Sequence, residues 1–275
     1  MMSIVKNILD KHIPMLAMMY RAWLSYHRIN RPFRTNKDFG FKFLGNDAMV
    51  AGVFEIDEVR IIHELLPKVH RFVDVGANIG YYTCIARQLG KPCIAFEPLQ
   101  SNLMALFANL QANNWLDTEI WPIGLADHIG MALIFGSGGF ASLIRGWAKQ
   151  LNPIGTTICI NTLDNVMGAR FADERLFVKI DVEGLEMAVL RGAQVFFSRA
   201  LKPILLIEIS LSQNHPEPNK DYFSTFKFFW DRGYRLVTAD AKMREVTQKD
   251  VESWVRQGSC GWDIHNWLAL PKDWA

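Results

Sequence analysis

The sequence predicts one doubly wound α/β domain with a mostly parallel sheet, preceded by a helical amino-terminal arm. Three observations support this fold class. From residue 71 onward, short apolar runs that suit strands alternate with stretches of helical periodicity. Those apolar runs are continuous rather than alternating, which is typical of parallel strands covered on both faces. The first run ends in a glycine-containing turn that leads into a helix, where such sheets bind nucleotides.

The composition fits a folded enzyme domain. The 275 residues are 50% hydrophobic and 21% charged, which excludes a disordered chain. A formal net charge of +2 argues against nucleic acid as a partner. No apolar run is long enough to span a membrane. The four cysteines (Cys84, Cys93, Cys159 and Cys260) lack disulfide or zinc-site spacing, so a reducing cytoplasm is expected.

Residues 1–45 are predicted to form a helical arm, and residues 46–275 the main domain. The first 37 residues hold seven of the 30 basic residues but only one of the 28 acidic ones. Arg21 and Arg28 accompany Trp23 in a stretch of helical spacing. Such a segment either packs over the domain or across a homodimer, or makes peripheral contact with the inner membrane. Both interpretations stay open at this point.

The predicted elements alternate between strand and helix. The first strand, residues 71–76, leads into a helix that ends at Gly90, a residue suited to a left-handed helix end. The second strand, residues 93–97, precedes a helix that carries Leu103, Leu106, Phe107 and Leu110. Further continuous apolar runs predict core strands at residues 120–123, 177–180 and 204–209.

The pattern changes between and beyond these strands. Residues 131–160 are glycine-rich with short apolar steps, which predicts a hairpin or a loop insertion. After a loop at 213–219, aromatic residues recur at helical spacing between 223 and 230, which indicates a helix with a buried aromatic face. The two closing runs, 234–238 and 267–270, are expected to pair as antiparallel strands.

The turn after the first strand predicts a cofactor site. Gly76, Asn78 and Gly80 place small residues where the backbone must approach a ligand at a helix start. The pattern is GxxxG and lacks the GxGxxG arrangement that seats a pyrophosphate. A nicotinamide dinucleotide, and with it an NAD-dependent oxidoreductase, is therefore disfavoured. Asp74, just before the turn, is either structural or faces a cationic part of the cofactor.

Acidic residues follow two predicted strands at their carboxyl ends. Glu97 has the usual offset of an acid that accepts hydrogen bonds from ribose hydroxyls, the alternative being an acid at a helix N-terminus. Asp181 and Glu183 follow a core strand, and either could position an acceptor or remove its proton. The alternative for Glu183 is capping of the helix that begins near Gly184. The acids and histidines show no convincing spacing for a metal site.

Three ordered motifs resemble the FkbM-type methyltransferases. They are VDVGANIGYYT at residues 73–83, AFEPLQSN at 95–102 and VKIDVEGLEMAVLRGA at 178–193. The resemblance covers roughly residues 50–210, and three motifs in the same order are far more specific than any one alone.

The resemblance implies a Rossmann-like class I methyltransferase with a seven-stranded sheet, an antiparallel last strand, and S-adenosylmethionine as its cofactor. It also implies roles for named residues: Asp74, Gly76, Asn78 and Gly80 along the cofactor, Glu97 at the ribose, Leu125, Ala126 and Asp127 near the adenine, and Asp181 and Glu183 at the methionine end and the acceptor. The expected reaction is O-methylation of a sugar or glycan hydroxyl or of a related polar metabolite. The alternatives are a polyketide-type natural product as the acceptor, or a non-catalytic protein that docks on a membrane.

Overall fold

The computed structural model describes residues 32–149 and 155–274. The predictions for the arm within residues 1–31 lie outside these described residues. Residues 32–45, assigned to the helical arm from sequence, contain an antiparallel pair of short strands instead of a helix: β1 (Arg34–Thr35) and β2 (Lys42–Phe43). Phe43 is fully buried, and the Leu44 amide donates to Asn109 Oδ1 at 2.6 Å. These residues therefore pack as part of the main domain.

The remaining elements follow in chain order. The further strands are β3 (Arg71–Val75), β4 (Cys93–Phe96), β5 (Glu119–Trp121), β6 (Gly124–Leu125), β7 (Gly130–Ile134), β8 (Thr156–Asn161), β9 (Leu176–Ile180), β10 (Ile204–Glu208), β11 (Tyr234–Thr238) and β12 (Asn266–Pro271). The helices are α1 (Asp47–Ala51), α2 (Ile56–Leu65), α3 (Tyr81–Gln88), α4 (Gln100–Ala112), α5 (Leu163–Val166), α6 (Glu186–Arg191), α7 (Gln194–Phe197), α8 (Tyr222–Asp231) and α9 (Gln248–Gln257).

Seven strands form the central sheet in the order β11-β12-β10-β9-β3-β4-β5. All neighbours are parallel except β12, which runs antiparallel to both β10 and β11. The predicted seven-stranded sheet with an antiparallel last strand is confirmed. From β3 the chain proceeds to β4 and β5 on one side, and later returns to β9 and β10 on the other. The carboxyl ends of β3 and β9 therefore lie at a topological switch point, where open α/β sheets bind ligands.

Helices cover both faces of the sheet, which explains the continuous apolar runs. Val73 and Val178 face one cluster, packed with side chains of α5 to α9. Phe72 and Phe177 face the other, packed with side chains of α1 to α4. Because successive residues of a strand point to opposite faces, each central strand is apolar at nearly every position. The buried charged exceptions are Asp74 in β3 and Lys179 in β9. The aromatic helix α8 buries Phe226 completely, in agreement with the predicted core role.

Two predicted segments differ in detail from the structure. The run at 120–123 was expected to be a core strand, but β5 is the short, half-exposed edge of the sheet. An edge strand has a neighbour on one side only, so part of its surface stays open to solvent. Within the 131–160 insertion, β7 and β8 pair antiparallel and β6 adds a third strand, which is the hairpin alternative.

Cys84 and Cys93 are both buried. In the described part of the chain, no helix combines the length and apolar character needed to cross a membrane.

Candidate active site

A cleft of about 740 Å³ opens at the carboxyl ends of β3, β4 and β9. Its walls come from the turn after β3, the acid that follows β4, the loop after β9, the end of β10 and the β7–β8 insertion. Of the predicted site residues, those that line it are Gly76, Asn78, Glu97, Leu125, Asp181 and Glu183. Motifs from distant parts of the sequence thus meet in one place.

The turn after β3 touches the end of β9 through its backbone. Gly76 has a φ of +87°, and a β-carbon there would lie 1.9 Å from the carbonyl oxygen of Asp181. The Asp181 amide in turn donates to the Val75 carbonyl at 3.0 Å. Only glycine combines this φ with this close approach. Gly80, also at positive φ, precedes α3 and faces Leu106, so it serves helix packing.

Glu97 is buried and joins the glycine turn to the start of α4. Its Oε2 accepts from the Asn78 amide at 2.8 Å, and its Oε1 accepts from the Leu99 amide at 2.8 Å and from Asn102 Nδ2 at 3.3 Å. Burial raises the pKa of Glu97 to about 7, against the lowering effect of these three N–H donors. The residue lines the cleft and also holds a helix start, so both roles considered from sequence are compatible with its position.

Asp74 lies behind the cleft and is fully buried. The hydroxyl of Thr83 donates to its Oδ2 at 2.6 Å, while Oδ1 has no donor among the described residues. Burial raises the pKa of Asp74, and Lys179 and Thr83 partly oppose that rise. Asp74 is absent from the cleft lining, so its contacts in this structure are those of the structural alternative.

Sequence reasoning missed Lys179, which supplies positive charge to the cleft floor. Its Nζ forms a 2.6 Å ion pair with Asp181 Oδ2 and lies 4.7 Å from the centre of the Tyr82 ring. The Tyr82 hydroxyl donates to Glu55, a second missed residue that lines the cleft. Burial alone lowers the pKa of Lys179, but Asp181, Glu55 and Asp74 together raise it above its usual range. In the sequence, Lys179 could have been recognised as a functional candidate because it is the single charged residue of the otherwise apolar strand β9.

Glu183 forms the opposite wall and has a φ of +56°. The indole Nε1 of Trp147 donates to its Oε2 at 2.5 Å, and the Ser142 hydroxyl donates to its carbonyl at 2.6 Å. Burial and the neighbouring Asp181 raise the pKa of Glu183 to about 8. It does not cap the following helix. The N-cap of α6 is Leu185, without a side-chain cap, and Glu186 Oε1 accepts from the amide of Gly184 at 3.1 Å, just before the helix.

The three residues assigned to the adenine region from sequence are spread apart. Leu125 lines the cleft and is buried. Ala126 is buried but outside the lining, and its amide donates to the Asn161 carbonyl. Asp127 points outward and pairs with His128 at 2.7 Å, which lowers the pKa of Asp127. Their assigned contact with the adenine stays a prediction.

Glu208 and His265 complete the titratable lining of the cleft. Burial raises the pKa of Glu208 well above its usual range, and Asp181, Glu186 and Glu183 add to the rise. Carboxyl groups are the most numerous ionisable groups of this lining, which also contains the cationic Lys179. The acidic residues are Glu55, Glu97, Asp181, Glu183 and Glu208. In the described residues, no three potential ligands are grouped to hold a metal ion.

This lining fits S-adenosylmethionine. The cofactor carries a sulfonium and an ammonium group, which carboxylates attract in a low-dielectric cleft. The buried Asn78 Oδ1 has no donor within the described residues and lies in the same wall as Glu97. A polar atom in this state is expected to find a partner when a ligand with hydroxyl or amino groups binds.

The fold and the site define a Rossmann-like S-adenosylmethionine-dependent methyltransferase. The family pattern described as "Methyltransferase FkbM domain" matches residues 74–236, which is more than half of the chain. The chain belongs to the FkbM methyltransferase family, as its three motifs indicated, and S-adenosylmethionine is its cofactor. Among curated proteins, none matches the sequence significantly.

Several solved structures are similar to this chain. An O-methyltransferase from Bacillus cereus in complex with SAH is 10% identical, with 97% of this chain and 96% of that chain covered and a TM-score of 0.44. Magnesium protoporphyrin IX methyltransferase from Synechocystis, with bound SAM, is 8% identical over 98% and 96%, with a TM-score of 0.41. A precorrin-6y C5,15-methyltransferase from Geobacter metallireducens is 15% identical over 74% and 79%, with a TM-score of 0.37.

Proposed function

We propose that this enzyme methylates a hydroxyl oxygen of a sugar, a glycan or a related polar metabolite, with Glu183 as the general base. The proposal rests on the position of Glu183, on its lack of an ion pair with any described residue and on its raised pKa. Glu183 lines the cleft, forms no ion pair with any described residue, and has a pKa raised to about 8 by burial. A carboxylate with this proton affinity accepts a proton near neutral pH far better than an ordinary glutamate.

Asp181, the other candidate base from sequence, is less suited to proton removal. Its Oδ2 is already held at 2.6 Å by the ammonium group of Lys179. Its position beside Gly76 favours a binding role, at the methionine end of the cofactor. The proposal therefore gives Asp181 the task of holding the cofactor and leaves the proton to Glu183.

When bound, S-adenosylmethionine supplies a methyl group on a positively charged sulfur. The chain must hold the acceptor oxygen in line with the carbon–sulfur bond and exclude water. As the new carbon–oxygen bond forms and the carbon–sulfur bond breaks, with S-adenosylhomocysteine as the leaving group, the hydroxyl proton would pass to the Glu183 carboxylate. Asn78 and Glu97 are proposed to hold the ribose, whose vicinal hydroxyls can both donate to one carboxylate.

The lining beyond Glu183 supports a neutral, hydroxyl-rich acceptor. Glu208, Gln213 and Asn214 bring carboxyl and amide groups to that end of the cleft. Lys179 is the basic side chain of the lining, and Asp181 already pairs with it. An acceptor with a phosphate beside the methylated hydroxyl would meet carboxyl groups without a free counter-charge, so a sugar hydroxyl suits the cleft better. A polyketide acceptor, which is less polar, suits this lining less well.

Transfer of tritiated methyl groups from S-adenosylmethionine into fractionated host extract tests the proposal. Wild-type protein is expected to label a carbohydrate-containing fraction with an ether-linked methyl group. The Glu183→Gln variant is expected to lose at least about 100-fold in rate, the usual scale of general base catalysis. Glu217→Gln, which changes an exposed acid of the nearby loop, should retain wild-type activity and is the matched control.

Two results would overturn the proposed function. Full activity of Glu183→Gln would remove Glu183 as the base. A tritiated methyl group found on nitrogen or carbon atoms, or only in polyketides, would exclude a sugar hydroxyl as the acceptor.

We further propose a cytoplasmic enzyme whose basic arm contacts the inner membrane, which would suit a lipid-linked glycan. Packing of the arm over the domain or across a homodimer is the alternative. Sedimentation with anionic liposomes compares the full chain with a chain that lacks residues 1–31, so that β1 is retained. Equal sedimentation of the two would reject the membrane contact.

A further inference from the structure

Trp147 lies in the insertion between β7 and β8, yet its side chain is only 2% exposed. Its indole Nε1 donates to Glu183 Oε2 at 2.5 Å. The indole of Trp267, also fully buried, donates to a backbone carbonyl, that of Ile209. Here the acceptor is a carboxyl oxygen in the wall of the cleft. The insertion therefore contacts Glu183, the proposed base, through the side chain of Trp147.

Two contacts hold Trp147 in this place, and a glycine leaves room for its ring. The ring of His215 packs edge-on against it at 4.5 Å between centroids. The next residue, Ala148, donates its amide to the Asn214 carbonyl at 2.7 Å. A β-carbon on Gly184, the residue after Glu183, would lie 2.5 Å from the indole ring. Glycine at 184 is thus required for the ring to approach the carboxyl group this closely.

We propose that Trp147 is a positioning residue for methyl transfer, and that its indole N–H fixes the orientation of the Glu183 carboxyl group towards the acceptor. This inference rests on the proposed function, in which Glu183 is the base. Trp147 is absent from the lining of the cleft, so it acts through Glu183 and not by touching the acceptor.

The physical reason is the environment of Glu183. The charged groups that face it are Asp181 on its own loop, Glu186 on α6, Glu208 on β10 and Lys179 on β9. Three of these four are acids, which disfavour the ionised carboxylate. The indole N–H stabilises that ionised form, since a hydrogen bond to a charged group is stronger than one to a neutral group. With Oε2 engaged by the indole, Oε1 is left to take the proton.

The contact itself can be tested without an acceptor. Fluorine NMR of protein labelled with 5-fluorotryptophan gives one signal for each tryptophan, and Trp147→Phe identifies the signal of Trp147. That signal is expected to shift with pH around a midpoint near 8, as Glu183 ionises. In Glu183→Gln the shift should vanish. Ionisation of His215 occurs at lower pH, because burial lowers its pKa, so the two events are separable.

The consequence for the reaction is tested by the pH dependence of tritiated-methyl transfer. Trp147→Phe keeps the ring but removes the donor, so the acidic limb of kcat/KM should move up by about one pH unit. KM for S-adenosylmethionine should stay unchanged, while kcat at pH 7 falls about tenfold. Trp254→Phe removes another buried indole, away from the cleft, and should leave the profile unchanged.

The outcomes separate this inference from the proposed function. Full activity of Glu183→Gln defeats the proposed function, and the inference with it. An inactive Glu183→Gln together with a wild-type pH profile for Trp147→Phe defeats the positioning role alone. A Trp147 signal that does not respond to Glu183 ionisation also defeats it.

Discussion

The ammonium group of Lys179 lies 2.6 Å from the carboxylate of Asp181, with the two side chains 6% and 25% exposed. Asp74 and Glu55 also act on this lysine through their charges. One buried cation thus balances several acids on the floor of a cleft that binds a cationic cofactor. Replacement of Lys179 is therefore expected to affect the free energy of unfolding more than cofactor binding.

Replacement of Lys179 by methionine is expected to lower the free energy of unfolding by about 3–5 kcal/mol. Removal of one partner leaves a buried charge without compensation, which costs far more than the pair itself contributes. Urea unfolding at pH 7.5 measures this change. The double variant Lys179→Met with Asp181→Asn should recover part of the loss, because it also removes the uncompensated carboxylate.

Lys227→Met provides the matched control. Lys227 pairs with Asp231 at 2.7 Å, but both side chains are about half exposed. An exposed pair contributes at most about 1 kcal/mol. Equal losses in the two lysine variants would contradict the role assigned to Lys179.

Gly76→Ala should prevent formation of the cofactor site. The added methyl group would overlap the Asp181 carbonyl, besides adopting an unfavourable φ. We expect a loss of about 4 kcal/mol or more in the free energy of unfolding. Gly90 also has a positive φ, but a β-carbon there would meet no atom within 4 Å, so Gly90→Ala should cost only about 1–2 kcal/mol. A difference of less than about 1 kcal/mol between the variants would contradict the close approach of Gly76.

Glu97→Gln should weaken cofactor binding while the protein stays folded. The amide nitrogen cannot accept the hydrogen bonds that the carboxylate offers to ribose hydroxyls, and each such bond to a charged group contributes about 1.5–3 kcal/mol. Titration calorimetry with S-adenosylhomocysteine is expected to show a Kd raised about 10- to 100-fold. Glu119→Gln, on the neighbouring strand, breaks an ion pair with Arg170 outside the cleft and should leave this Kd unchanged.

Three carboxyl groups with raised pKa values make the stability of the ligand-free protein depend on pH. Burial raises the pKa of Glu97 and Glu186 to about 7 and that of Glu183 to about 8, from an ordinary 4.5. As the pH rises from about 4.5 to 8, the unfolded chain releases these protons while the folded protein still holds them. Their contribution to the free energy of unfolding therefore falls over this range.

Thermal unfolding at pH 5 and pH 8 measures this dependence. The Tm is expected to be lower at pH 8, and Glu183→Gln, which cannot titrate, should show a smaller decrease. A Tm in Glu183→Gln that falls as steeply as in the wild type would contradict the raised pKa of Glu183.

The cysteines should differ in reactivity towards a thiol reagent. Cys159 is exposed and Cys260 half-buried, whereas burial raises the pKa of both Cys84 and Cys93. Since the thiolate is the reactive form, native protein should react first at Cys159, and at the two buried thiols only after unfolding. Loss of the fast phase in Cys159→Ser is the check. Four equal rates in native protein would contradict the packing around β4.

The sequence by itself determined the sheet, the glycine turn and the place of Glu97. These features come from local patterns: a strand buried on both faces is apolar at nearly every position, and a turn with positive φ favours glycine. The same reasoning failed for β5, because apolar residues alone do not distinguish an edge strand from a central one.

Only the tertiary structure decided the roles of the charged groups. In the sequence Glu183 is a candidate for the helix cap, but in the structure its φ is left-handed and its side chain accepts from Trp147, 36 residues earlier. Likewise, Lys179 could be assigned to Asp181, Glu55 and Asp74 only once the chain had brought these acids around it. Charge and proton affinity depend on neighbours in space, and those neighbours come from distant parts of the chain.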